Sequence, residues 1–208
     1  MMKYNLRSRK RMNTETPKSY RYIWFDLETT GFNSYHEHII EIAAYSSDGK
    51  YFSELVKPSN GEQISEFITN LTTITNEMVK NKPTIKTVLK RFVEFCGNKP
   101  NTYLIAHNLM GFDKHFLERN LFRCRLSIPN NWKFIDSLHL AQLVLPKRYS
   151  HSMKNLCKYW NIKQEVAHRA YSDVDDLHKI YENLMMIFNS KYNTENPDEV
   201  IKKLYGNV

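Results

Sequence analysis

Asp26 and Glu28 stand two residues apart in FDLETTG, Asp113 closes AHNLMGFD, and His168 and Asp173 frame HRAYSD. Four carboxylates and one imidazole, drawn from three separated stretches, make a donor set for divalent cations. Carboxylate oxygens are the hard ligands that Mg2+ and Mn2+ accept in octahedral sites. Imidazole, which ionises near neutrality, suits removal of a proton from water. Two metals held by such a set can clamp the attacking and departing oxygens of a phosphodiester.

The local context of each acid carries a different weight. Tyr22–Leu27 is almost wholly apolar or aromatic, as in a strand buried on both faces. Side chains two apart in a strand share a side, so Asp26 and Glu28 project together. Paired carboxylates repel, and burial raises the cost of their charge. A bound cation relieves both conflicts; dedicated hydrogen-bond partners for each acid are the alternative. Asp113 shares a helical face with Phe116, Leu117 and Leu121, and Asp173 with Leu177, Ile180 and Leu184. Each acid sits at the inward edge of an amphipathic helix near its N-terminus, where the helix dipole favours an anion. Two readings stand for each helix: metal ligand, or ordinary helix-start residue. Ser172 and Asp175 fit a capping box, which speaks for the second reading at Asp173. His168 lies five residues before Asp173, close enough on a short tether to work beside it. The other histidines (His36, His38, His107, His115, His139, His151, His178) have no comparable partner, and His36-x-His38 reads as surface.

The elements that must position these groups follow from patterning. Strands are predicted at Tyr22–Leu27, His38–Ser46 and Tyr51–Lys57, the last two joined by a turn at Asp48-Gly49. Helical pieces follow near Ile64–Asn70, Asn76–Lys80 and Thr84–Phe95. Tyr103–Ala106 reads as a strand, Asp113–Arg125 as a helix and Phe134–Asp136 as a short strand. Helices are predicted near Ser137–Leu145, Ser152–Trp160 and Asp173–Asn189, with a short terminal helix from Asn196-Pro197 carrying Val200, Ile201 and Leu204 on one side. Three antiparallel strands followed by strands alternating with helices predict a mixed α/β sheet flanked by helices.

The 208 residues suffice for one globular domain, and 41% hydrophobic content argues against global disorder. No apolar run is long enough to span a bilayer, and the N-terminus lacks a signal-peptide core. A cytoplasmic or nuclear setting is therefore expected. Cys96, Cys124 and Cys157 are scattered, which predicts three reduced thiols. The net charge of +8 is concentrated in residues 1–21, where seven Lys or Arg face only Glu15. The basic pI is thus mainly a tail property. The expected organisation is a basic flexible arm over 1–20, a catalytic domain over 21–190 and a tail with a short helix over 191–208. Arg7-Ser8-Arg9-Lys10-Arg11 fits a nuclear address, a phosphate-binding tail or a solvated terminus.

Together the three patches resemble the DEDDh exonucleases, the four-acid-plus-histidine branch of the ribonuclease H-like fold, whose members include the proofreading epsilon subunits of bacterial replicative polymerases. FDLETTG matches the first motif, AHNLMGFD the second and HRAYSD the third. The likeness spans about Tyr22 to Phe188, and HIIEIAAY, LTTITNEMVKNKPT and FIDSLHLAQLVLP agree with it. One spacing departs from the epsilon pattern: Asn108 and Asp113 are five apart, a longer interval that related autonomous exonucleases tolerate.

The resemblance implies a ribonuclease H-like α/β fold and a 3′-to-5′ exonuclease that releases nucleoside 5′-monophosphates. It implies two Mg2+ ions, with Mn2+ able to substitute, roughly 3.5–4 Å apart. Asp26, Glu28 and Asp173 would hold one metal, Asp26 would bridge to the second, Asp113 would support the pair through water, and His168 would activate the attacking water. Leu27, Thr29, Thr30 and Gly31 would meet the terminal nucleotide, and Gly31 permits close approach. Phe32 would stack on the last base, or simply pack in the core. Leu71 and Thr72 would form a second wedge, and Asn108 would orient its loop. Lys147 and Arg148, next to Tyr149, would grip the phosphate backbone, unless they are merely solvated. The expected partner is nucleic acid with a free 3′ end, DNA before RNA; a polymerase partner fits the resemblance, but no segment for it is evident. An RNA exonuclease of the same fold and a non-catalytic nucleic-acid-binding module are the competing readings.

Overall fold

The structure, a computed structural model, describes residues 20–163 and 170–206. Its centre is β1 (Arg21–Thr29), which pairs antiparallel with β2 (Ile39–Ser46); β2 in turn pairs antiparallel with β3 (Tyr51–Leu55). The β2–β3 turn uses Gly49 at φ +81°, a backbone conformation glycine adopts without steric penalty. Short helices α1 (Glu66–Thr72) and α2 (Asn76–Val79) and the longer α3 (Ile85–Cys96) then carry the chain across to β4 (Thr102–Ala106), parallel to β1. Helix α4 (Asp113–Arg123) leads to β5 (Trp132–Asp136), parallel to β4. The sheet order is β3-β2-β1-β4-β5. Helices α5 (Ser137–Val144), α6 (Met153–Tyr159), α7 (Ala170–Tyr192) and α8 (Pro197–Tyr205) complete the described chain. This is the predicted mixed sheet, with three antiparallel strands first and parallel strands after.

Alternation along β1 divides the interior in two. Ile23, Phe25 and Leu27 enter one core with Phe92 of α3 and Phe116 and Leu117 of α4. Trp24 enters the other with Leu140 of α5, Leu156 of α6 and Leu177, Ile180, Leu184 and Phe188 of α7. The α7 positions repeat at helical spacing, so one face of a long helix is sealed against the sheet. Each such side chain contributes roughly 1.5–3 kcal/mol of burial. Val200 of α8 is fully buried in that second core, so the terminal helix packs on this body. The three cysteines are buried and unpaired, as their spacing predicted. No helix among the described residues is long and apolar enough to cross a membrane. The predicted basic arm lies outside the described residues.

Candidate active site

The acidic residues meet at the C-terminal ends of the parallel strands β1 and β4, the edge at which open α/β sheets present their loops to ligands. Asp26 and Glu28 leave β1 on the Trp24 side, facing α7, while Phe25 and Leu27 leave on the other. A register shift between Glu28 and Thr29 ends the regular pairing with β2 at this point. Such irregularities bend a strand and re-aim its side chains. Carboxylate oxygens of Asp26, Glu28 and Asp173 all lie within 4.8 Å of one another. Asp113 comes from the opposite layer and is only 2% exposed; its Oδ1 has no hydrogen-bond partner among the described residues.

Neither helical aspartate is an N-cap. Phe112 occupies the N-cap of α4, with Asp113 as the first helical residue. In α7, Ala170 and Tyr171 are already helical ahead of Ser172, so Ser172 is not the N-cap that the predicted capping box requires. Burial holds Asp26 well above the ordinary carboxylate range, and the charges of Asp113, Glu28, Asp173 and Glu41 push it further. Burial likewise raises Asp113, against the backbone amides of Asp113 and Leu27, which favour its anion. The acids therefore crowd one another in a partly buried setting, a conflict that cations resolve.

Three contributors were missed from sequence. Glu41, 1% exposed, faces Glu28 across the β1–β2 pair; the signal was an acid inside the apolar run IIEIAAY. Asp136, fully buried at the end of β5, accepts hydrogen bonds from the backbone N–H groups of Asn108 (3.1 Å), Met110 (2.9 Å) and Leu138 (2.9 Å). It thereby hangs the AHNLMGFD loop from the neighbouring strand and also caps α5. Within that loop Asn108 sits at φ +63°, and a Cβ on Gly111 would fall 2.5 Å from Asn108 Oδ1. The Asn108 side chain thus packs against the backbone of Gly111, which leaves no room there for a side chain. His107, grouped above with partnerless histidines, instead lines the cleft, with Nδ1 2.9 Å from Ser137 Oγ and its pKa lowered to about 4 by burial.

A cleft of about 400 Å3 opens over the acids. Of the residues singled out from sequence, Asp26, Leu27, Glu28, Thr29, Phe32, Leu71, Thr72 and Asp173 line it. Phe32 is 69% exposed, so the core-packing alternative fails for it. Thr30 and Gly31 lie just behind. The Thr30 hydroxyl donates to Glu37 at 2.5 Å, and a Cβ on Gly31 would come within 2.6 Å of Glu37 Cδ. Phe112 and Lys154 add an aromatic wall and a cation that sequence reasoning did not single out. Lys147 and Arg148 are not among the lining residues: Lys147 is exposed, and Arg148 lies over the Tyr159 ring at 4.1 Å and donates to the Asn155 carbonyl at 3.5 Å. His168 lies outside the described residues.

Comparisons with known proteins identify the family. The RNase_T family model, described as Exonuclease, matches residues 23–181. The chain belongs to this exonuclease family. Among its relatives is the PolC-type DNA polymerase III of Lacticaseibacillus paracasei, 35% identical over 161 residues, which cover 76% of this chain and 11% of the polymerase. The chloroplastic/mitochondrial exonuclease DPD1 of Arabidopsis thaliana is 33% identical over 192 residues, covering 86% of this chain and 61% of that protein. The chain thus spans about a tenth of the PolC-type polypeptide and less than two thirds of the plant exonuclease. In structure, the family member resembles E. coli Exonuclease I crystallised with a dT13 oligonucleotide, with a TM-score of 0.73 at 16% identity over 84% of this chain and 43% of that one. At that identity the likeness establishes the ribonuclease H-like fold.

Proposed function

We propose that this chain hydrolyses DNA from free 3′ ends and releases nucleoside 5′-monophosphates, with two Mg2+ ions as cofactor and Mn2+ as a working substitute. The observation that carries the reading is the convergence of Asp26, Glu28 and Asp173 to within 4.8 Å, with the unpartnered Asp113 Oδ1 buried beside them. The donors are all carboxylate oxygens, the ligand type of Mg2+ and Mn2+ rather than of softer metals. Bound there, the cations would supply charge stabilisation at the scissile phosphate and at the attacking and leaving oxygens.

The chain's own groups divide the remaining work. Asp26, Glu28 and Asp173 would hold the ions, and Asp113 would support them. His168 takes the proton of the attacking water. Phe32 and Leu71, both lining the cleft, pin the terminal base, and the backbone from Leu27 to Gly31 meets the end of the sugar. Lys154 answers the negative charge of the entering strand. The choice of DNA is supported by the polymerase relatives and by the DNA-bound Exonuclease I neighbours. The basic run before Tyr20 supports a nuclear address or an added grip on phosphates. A panel of labelled single-stranded, paired, mismatched and RNA ends, digested with Mg2+ and with EDTA, tests the proposal. Shortening of DNA from the 3′ end with Mg2+ alone is expected. Preferential digestion of RNA would overturn the substrate class, and undiminished digestion by Asp26→Ala would overturn the site.

A further inference from the structure

Beside the cleft lies a second, larger cavity of about 820 Å3, between the β1–β2 loop and the outer face of α4. Phe32 lines both. Helix α4 is amphipathic in the ordinary sense: Phe116, Leu117 and Leu121 are buried. Its outer face should then be polar. Yet Phe122 is 83% exposed there, and across the cavity Tyr35 is 62% exposed. The Arg119 guanidinium lies over the Tyr35 ring at 3.2 Å, and Arg123 donates to the Tyr35 carbonyl at 2.5 Å. The loop is therefore tied to α4 by two arginines, one over the Tyr35 ring and one on its carbonyl, and most of the Tyr35 side chain remains exposed. The one acid lining the cavity, Glu118, is paired with Lys114 at 3.7 Å, so the arginines set the local charge.

We propose that Tyr35, Arg119 and Phe122 form a second nucleic-acid contact, which takes unpaired nucleotides of the strand whose 3′ end occupies the cleft. Flat exposed rings beside guanidinium groups suit base stacking with phosphate neutralisation. Phe32, shared by both cavities, makes the two surfaces continuous. This inference rests on the proposed exonuclease reading, and it assigns to the fold a grip on the strand beyond the terminal nucleotide.

The test uses oligodeoxythymidylates with uncleavable phosphorothioate 3′ linkages, a trimer and a dodecamer, bound with Mg2+ present. Turnover of thymidine 5′-monophosphate p-nitrophenyl ester, which needs only the cleft, is measured in parallel. Phe122→Ala should weaken dodecamer binding about tenfold, as for loss of a stacked base, and leave the trimer and the ester unaffected. Arg119→Gln should lower the slope of log affinity against log salt by about 0.7, the release of one counterion from a single strand. Both positions are at the surface, and matching thermal melts establish that the variants are folded. Dodecamer affinity unchanged in both variants, with ester turnover intact, overturns this inference alone and leaves the patch as a docking face for protein. Failure of the unmodified chain to turn over the ester and bind either oligonucleotide overturns the exonuclease reading and this inference with it.

Discussion

Asp26 concentrates the chemistry of the cleft at a single carboxyl. Its pKa is raised by burial and by the charges of Asp113, Glu28, Asp173 and Glu41. A raised folded-state pKa means that the folded protein binds the proton more tightly than the unfolded chain. The resulting stability is complete below the ordinary carboxylate range and is lost as pH rises through the raised value. His107 acts oppositely: with its pKa lowered to about 4, its contribution grows as pH rises from there towards the ordinary histidine value. Comparison with Asp26→Asn isolates the first effect. In EDTA the variant should melt above the parent, by a margin that widens as pH rises from the ordinary carboxylate range towards the raised value; a margin that stays constant from the ordinary carboxylate range upward would show that Asp26 ionises normally. With Mg2+ the same variant should lose activity by two orders of magnitude or more, since several kcal/mol of charge stabilisation go with the ligand.

At the scale of elements, the loop between β4 and α4 decides whether Asp113 reaches the site. Asp136 holds that loop through the N–H groups of Asn108 and Met110. Asp136→Ala leaves two part-buried donors without their acceptor and uncaps α5, at a cost of about 1–3 kcal/mol. Urea denaturation should show that loss, together with weaker activation by Mg2+. Asp136→Asn, which keeps one acceptor oxygen, should recover part of both. Equal effects from the two substitutions would mean that the loop does not depend on this carboxylate. Gly111 belongs to the same device: a side chain there meets Asn108 Oδ1 at 2.5 Å, so Gly111→Ala should impair activity more than stability.

Across the whole molecule, the site joins two layers that the sheet keeps apart. Asp113 comes from the α3–α4 side and Asp173 from the α5–α8 side, and they meet only beyond the end of β1. Cation binding should therefore fasten the layers to each other. At Mg2+ a hundred times its dissociation constant the stabilisation is about 2.7 kcal/mol, a rise of several degrees in Tm for a chain of this size. Calorimetry in EDTA and in Mg2+ measures it, and no shift would show that the cluster does not hold the ion. The terminal helix contributes at the β5 edge of the sheet. Tyr103 donates to Asp198 at 2.7 Å, Lys133 pairs with Asp198 at 2.6 Å, and the Asp136 N–H donates to the Tyr205 hydroxyl at 3.2 Å. Removing residues 196–208 would expose the Val200 site and loosen Asp136. Lower thermal stability and weaker Mg2+ activation are expected together, measured on the same preparation.

The order of strands and helices, the shared side of Asp26 and Glu28 and the inward faces of α4 and α7 were all legible in the amino-acid pattern. These follow from periods of two and 3.6 residues along the chain. The sequence could not choose between ligand and helix-start residue for Asp113 and Asp173, because a local pattern is the same in either case. Tertiary packing adds what supports the proposed ligand reading: one oxygen of Asp113 is buried without a partner among the described residues, and Asp173 lies within reach of β1. Asp136, Glu41 and His107 were illegible for a related reason: what each does depends on which strand or helix lies beside it. The exposed Phe122 beside Arg119 likewise acquires meaning only because the β1–β2 loop folds over against it, next to the cleft.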